Sequence, residues 1–187
     1  MRIEFLLEES SMENVLIEIL PKILPQGFVL NENYFLRPHQ GKSDLRKSIP
    51  NKVKAFSNSH EEVKIVILHD QDSHDCVELK RQIRELCHQS GNCPTLIRII
   101  CKELEAWYLG DMKAIQKVYP RFKADNYKGK VKFRNPDICN ASDELKKIIS
   151  NFQKGFASRE ISKFMDIDNN ISDSFNQFRD GVIRFIE

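Results

Sequence analysis

Val63-Lys64-Ile65-Val66-Ile67-Leu68-His69-Asp70-Gln71-Asp72 is the stretch that decides the fold. Its first seven residues are almost continuously apolar and rich in β-branched side chains, the texture of a strand buried on both faces. The run then stops in two acids. Downstream, Cys76, Leu79, Ile83, Leu86 and Cys87 recur at helical spacing, Thr95–Cys101 (TLIRIIC) reads as another strand, and Glu103-Leu104-Glu105-Ala106-Trp107 opens a further helix. Upstream, Ile3, Phe5 and Leu7 share one face of a first strand. Ser10-Ser11-Met12-Glu13 then has the Ser-x-x-Glu form of a capping box. Met12, Val15, Leu16, Ile19, Leu20 and Ile23 form a helical stripe that Pro25-Gln26-Gly27 closes. A second strand is expected near Phe28–Leu36, and helix within Ser43–Ser57, with Pro50 as a break or a fresh first turn. Strands alternating with helices predict an α/β fold, a mainly parallel central sheet flanked by helices.

Beyond Tyr119-Pro120 the texture changes. Arg121–Arg134 carries six bases against the single acid Asp125 and reads as loop. Helical patterns return at Ser142–Ser150 and Arg159–Met165, and a last helix sets Phe175, Phe178, Val182 and Phe185 on one stripe. The expected organisation is a single domain over residues 1–187, with an α/β core to residue 119 and a basic loop with C-terminal helices over 120–187. A chain of 187 residues suits one domain, which commonly spans roughly 100–200. Trp107, the sole tryptophan, is expected as a core anchor.

Composition removes several classes. Lys and Arg number 29 against 27 Asp and Glu, a net charge of +2, which excludes a binder that coats nucleic acid by bulk charge. No apolar run approaches the ~20 residues that span a bilayer, and the N-terminal residues lack a signal-peptide pattern. A cytoplasmic protein without membrane association is expected. The five cysteines are odd in number and contain no Cys-x-x-Cys pair, which argues against zinc and for reduced thiols packed as small hydrophobes.

Chemistry is expected at the carboxyl ends of the strands, where ligands of open parallel sheets gather. Glu8 and Glu9 follow the first strand, Asp70 and Asp72 the central one, and Glu103 and Glu105 the next. Carboxylates without paired thiols or histidines suit hard cations, Mg²⁺ or Mn²⁺. Each acid also has a structural alternative as a helix cap or a dipole partner. Together, three clusters on successive strand ends favour a metal site, led by Glu8, Asp70 and Asp72. Gly41-Lys42-Ser43 is not a phosphate loop, because the required earlier glycine is Leu36. Still, Arg37–Lys54 holds six bases against Asp44 behind a polar turn that opens a helix, and reads either as an anion-favouring turn or as a solvated helix face. His69 and His74 flank the Asp pair as supporting groups or caps.

Several blocks taken together carry a resemblance: Glu8-Glu9-Ser10-Ser11-Met12-Glu13, His39-Gln40-Gly41-Lys42-Ser43-Asp44-Leu45, Asp70-Gln71-Asp72-x-x-Asp75-Cys76, Arg98-Ile99, Glu103-Leu104-Glu105-Ala106-Trp107 and Ser174-Phe175-x-x-Phe178-Arg179-Asp180-Gly181. The chain resembles a bacterial domain-of-unknown-function family with a Toprim-like fold, whose members are often encoded beside AAA- or ABC-type ATPases in phage-defence loci. The wider Toprim group places a Glu after its first strand and an Asp-x-Asp after a later one to bind divalent metal. Those positions match Glu8, Asp70 and Asp72. Glu9 departs from the glycine that commonly follows the first Glu. The resemblance implies a metal-dependent phosphodiester nuclease acting on DNA or RNA with a partner ATPase. Asp70 and Asp72 would hold Mg²⁺ or Mn²⁺, Glu8 would act as ligand or general base, Glu103 and Glu105 would serve a second ion, and Lys42, Arg46 and Arg98 would neutralise the phosphate backbone. A non-catalytic Toprim-like module that binds nucleic acid or the ATPase is the alternative, and a homo-oligomer is left open.

Overall fold

Four strands form one all-parallel sheet: β1 (Arg2–Leu7), β2 (Tyr34–Pro38), β3 (Val63–Asp70) and β4 (Thr95–Ile100), in the order β2-β1-β3-β4. The computed structural model describes residues 1–187. Because the chain leaves β1 toward one side and returns past it to the other, the strand order reverses at the β1/β3 seam. In open parallel sheets that reversal leaves a crevice above the carboxyl ends of the two strands.

The same reversal distributes the helices. Crossovers between parallel strands are right-handed, so a change of direction in the sheet changes the face the helix covers. Helix α1 (Ser10–Ile23) packs on one face, against Ile3, Phe5, Leu7, Val66 and Leu68. Helices α2 (Lys42–Ser57) and α3 (Cys76–Ser90) pack on the other, where Leu45, Ile49, Val53, Leu79 and Ile83 meet Leu6, Ile65, Ile67 and Ile97. The rest of the chain joins α1 on the first face: α4 (Glu105–Gly110), α5 (Met112–Val118), α6 (Ala141–Ile148), α7 (Lys154–Glu160) and α8 (Asp173–Ile186). Trp107 is fully buried there, 5.2 Å from the ring centres of both Phe175 and Phe178, as an anchor of α8.

Four expectations need correction. The second strand starts at Tyr34 rather than near Phe28, because the intervening segment is turned by Asn31, whose φ is 66°. Helix α2 runs unbroken through Pro50. A proline there removes one backbone bond, that of the Arg46 carbonyl, while the buried stripe of Leu45, Ile49 and Val53 continues on both sides of it. The capping box does not form: Glu9 is the N-cap of α1, without a side-chain cap bond, and Ser11 donates its hydroxyl to the Glu9 carboxylate instead. The basic segment Arg121–Arg134 contains short 3-10 turns at Ala124–Asn126 and Val131–Phe133, and the latter places Phe133 in the core.

Glu4 lies in mid-strand and is fully buried. Its carboxylate accepts from the Arg2 guanidinium and, at 2.9 Å, from Arg37 Nε, and both guanidiniums stack on Phe35. A buried charge persists only when so compensated.

Helix α4 ends against a tight backbone approach. A Cβ on Gly110 would lie 2.0 Å from Asn170 Oδ1 and 3.0 Å from the Ser172 backbone nitrogen. Asn170 cannot swing aside, since its Nδ2 donates to the Trp107 carbonyl and its Oδ1 accepts from Ser172 N, both at 2.9 Å. Gly110→Ala should therefore destabilise the fold by roughly 1–3 kcal/mol, read as a lowered urea midpoint with an unchanged slope.

Candidate functional site

Glu8 and Asp70 meet above the β1/β3 seam. Glu8 Oε2 accepts from the Asp70 backbone N–H at 3.0 Å and lies 2.9 Å from His69 Nδ1. With its proton on Nδ1, His69 donates into this junction, where the Asp70 carbonyl is also 2.6 Å away. One Glu8 oxygen is thus fixed by the end of β3. The β2–α2 turn joins the same point, because Gly41 N donates to the Glu8 carbonyl at 2.9 Å. Gly41 has φ 91°, a conformation that favours glycine.

Strand alternation assigns the side chains to faces. Ile65, Ile67 and His69 point toward α2 and α3, whereas Val66, Leu68 and Asp70 point toward α1 and α4. On that second face Glu105 and Tyr108, three residues apart on α4, approach from the side. Glu105 is 2% exposed and Asp70 7%. Asp70 Oδ1, Glu105 Oε2 and the Tyr108 hydroxyl are buried and have no hydrogen-bond partner. Burial pushes the Asp70 carboxyl well above its usual range, and the nearby Glu8, Glu105, Glu9 and Asp72 push it further. Burial also raises Glu105, although Lys154 Nζ sits 3.2 Å from its Oε1. Burial alone would lower the Lys154 pKa, but Glu105, Glu9 and Glu103 outweigh it and hold the ammonium above its usual range.

The remaining predicted acids have other partners. Asp72 takes a left-handed conformation, φ 52°, fixed by its N–H donating to the Lys102 carbonyl at 2.8 Å. Its carboxylate turns to the rim, 3.1 Å from Lys42 Nζ. Glu103 Oε1 accepts from Ser142 N at 2.7 Å at the start of α6. Asp75 is the cap of α3, accepting from Glu78 N at 2.8 Å. No three His, Cys, Asp or Glu side chains stand close enough to form a ready-made metal cage. The inner acids Glu8, Asp70 and Glu105 nevertheless fit a hard cation in kind: their donors are all oxygens, and two of those oxygens are buried without partners.

Two grooves flank the acids. On the α2/α3 side, Lys42, Ser43, Arg46, Lys47, His69 and His74 line about 490 Å³. On the other, Asp72, His74, Lys102, Asn140, Lys146 and Lys154 contribute to a polar groove of about 570 Å³. Arg46 is tied to Gln82 at 2.8 Å. Arg98 is not part of this site. Its place in β4 turns the guanidinium under α8, against Gly181 and near Arg184.

The molecule is thus an α/β protein with an acidic crevice at the switch point of a parallel sheet. The chain belongs to the family described as Domain of unknown function (DUF4276), whose model matches residues 7–183. No curated protein matches the chain. No solved structure matches it either.

Proposed function

We propose that the chain is a Toprim-like, metal-dependent phosphodiester nuclease that acts on DNA or RNA with a partner ATPase in phage defence. The observation that carries this reading is the meeting of Glu8 and Asp70 at the switch point, beside buried carboxylate oxygens that no protein donor satisfies. Crowded like charges of this kind are relieved by a cation.

Asp70, Glu8 and Glu105 would hold Mg²⁺ or Mn²⁺, with Asp72 joining by rotation about its side-chain bonds and Glu103 by leaving Ser142. A divalent ion bound there supplies charge for the scissile phosphate and makes water acidic enough to attack near neutral pH. The chain's own groups do the rest. The Asp70 N–H and His69 hold one oxygen of Glu8 and keep the other aimed at the crevice, where it would face the ion. Lys42 and Lys154, one on each side of the acids, neutralise the backbone running from groove to groove, and Arg46 and Lys47 extend the basic wall.

A second reading rests on one observation. Lys154 already occupies Glu105, which suits a non-catalytic module that binds nucleic acid or the ATPase.

One experiment separates them. Mn²⁺ at a hundred times its dissociation constant should stabilise the protein by about 2.7 kcal/mol in a thermal melt. Glu8→Gln should remove that gain, and single- or double-stranded DNA or RNA should be cut only when Mn²⁺ or Mg²⁺ is present, alone or with the neighbouring ATPase. Oligonucleotide binding that is equally tight in EDTA, with no metal-induced stabilisation and no cleavage, overturns the nuclease reading in favour of the module.

A further inference from the structure

The two edges of the sheet are not alike. At the β2 edge the outward backbone groups are those of Tyr34, Leu36 and Pro38. Tyr34 is already paired to the preceding turn, with its carbonyl accepting from Asn31 N at 2.9 Å and its N–H directed at the Val29 carbonyl at 3.4 Å. Pro38 has no N–H to offer. Proline and a covering turn are the devices that keep an edge from pairing.

The β4 edge carries neither device along its length. Ile65 N donates to the Pro94 carbonyl and Gln71 N to the Ile100 carbonyl. In a parallel ladder this directs the backbone groups of Leu96, Arg98 and Ile100 toward β3. The N–H and C=O of Thr95, Ile97 and Ile99 therefore face away from the sheet, where no strand meets them.

The flanks of this edge are basic. On the α3 side, Lys80, Arg84 and His88 line a groove of about 420 Å³ together with Thr95 and Ile97. On the α8 side lie Arg98 and Arg184. Arg98 Nε is buried without a partner. Burial and Arg184 lower the Arg98 pKa more than Asp180 raises it, and burial, Arg98 and Arg84 lower that of Lys80, so these bases crowd one another. The nearby acids are committed elsewhere: Asp180 accepts from Arg179 Nε at 2.8 Å, and Glu78 and Glu85 hold Arg81.

We propose that the β4 edge docks an extended acidic segment of a partner protein, which adds a fifth strand and sets its carboxylates on Lys80, Arg84, Arg98 and Arg184. Strand addition takes affinity from the main chain and specificity from the side chains. A second copy of this chain would bring two identical basic clusters together, which costs affinity. A polynucleotide could satisfy the bases but could not continue a peptide ladder.

The test uses the whole chain and three short blocked peptides. One repeats Glu-Glu-Val-Val, which as an extended strand presents glutamates on both faces, one repeats Lys-Lys-Val-Val, and one is the glutamate peptide N-methylated throughout. The glutamate peptide should slow hydrogen exchange at the Thr95, Ile97 and Ile99 amides and bind more weakly as salt is raised. The Lys80→Glu/Arg84→Glu double variant, altered only on the outside of α3, should weaken binding roughly tenfold. Neither control peptide should protect those amides. Equal binding of the lysine or N-methylated peptide overturns the proposal, as does protection by a single-stranded oligonucleotide instead, or self-association of the free chain that buries the same amides. Nuclease activity does not enter any of these readouts, so the outcome is independent of the proposed function.

Discussion

Asp70→Asn is expected to lower metal-dependent cleavage by about a thousandfold while leaving the metal-free protein more stable than the wild type. The two effects have one origin. Asp70 is buried, one of its oxygens lacks a partner, and Glu8, Glu105, Glu9 and Asp72 surround it. Its folded-state pKa is therefore raised above that of the unfolded chain. A carboxyl with a raised folded pKa favours folding while protonated, and that contribution is lost as pH rises through the folded value. At neutral pH this carboxyl is a liability that asparagine removes, for a gain of roughly 0.5–2 kcal/mol. Melting curves in EDTA should put the variant above wild type at pH 7.5, with the gap closing on acidification. Saturating Mn²⁺ should reverse the order, since only the wild type keeps the charge to hold the ion. A variant less stable than wild type in EDTA at pH 7.5 would show that Asp70 is a structural carboxylate, and the acidic crevice would lose its main support.

Trp107→Ala is expected to cost about 3–5 kcal/mol, against a total stability of roughly 5–15 kcal/mol for a domain. The indole is fully buried between Phe175 and Phe178, and its Nε1 donates to Ser174 Oγ at 3.0 Å. Ser174 Oγ in turn donates to Asp137 Oδ1 at 2.8 Å, and Ser172 Oγ reaches the same oxygen at 2.8 Å. Truncation opens a large cavity and takes a donor from this buried network. It also strikes the helix that carries Glu105 and Tyr108 on either side of the tryptophan. Circular dichroism should record a strongly lowered urea midpoint. Trp107→Phe, which restores most of the volume but not the N–H, should recover most of the loss and leave the cost of one buried hydrogen bond, about 1–2 kcal/mol. Equal loss in both variants would assign the anchoring to the hydrogen bond rather than to packing.

The sequence made the fold legible where burial was two-sided or strictly periodic. Val63–Asp70 and the stripe of α1 could hardly be read otherwise. Phe28, Val29 and Leu30 mimic strand texture ahead of β2, while the deciding feature is the positive φ of Asn31. Pro50 suggested an interruption that tertiary packing overrides. Glu8 and Asp70 were legible because position after a strand is itself a chemical signal. Their neighbours were harder. Glu103 and Glu105 look alike in sequence, yet one serves the backbone of α6 and the other is buried beside Asp70. His69 was readable only as a flanking group. Tyr108 had a usable signal, its spacing from Glu105 on one helix face. Lys154 had none, since only the packing of α7 brings it to the crevice. Arg98 shares only its charge with Lys42 and Arg46, and strand alternation sends it beneath α8.

The crevice draws on chain segments far apart in order of synthesis: Glu8 at the start, Asp70 and Glu105 in the middle, and Lys154 near the end. Parallel pairing cannot be completed by neighbouring segments alone, so β1 must wait for β3 before Glu8 and the Asp70 N–H can meet. A ribosome emitting this chain therefore cannot bring the acids into register before β3 and α4 have emerged. If the crevice cuts nucleic acid, the messenger and ribosomal RNA beside the emerging polypeptide are spared until that point.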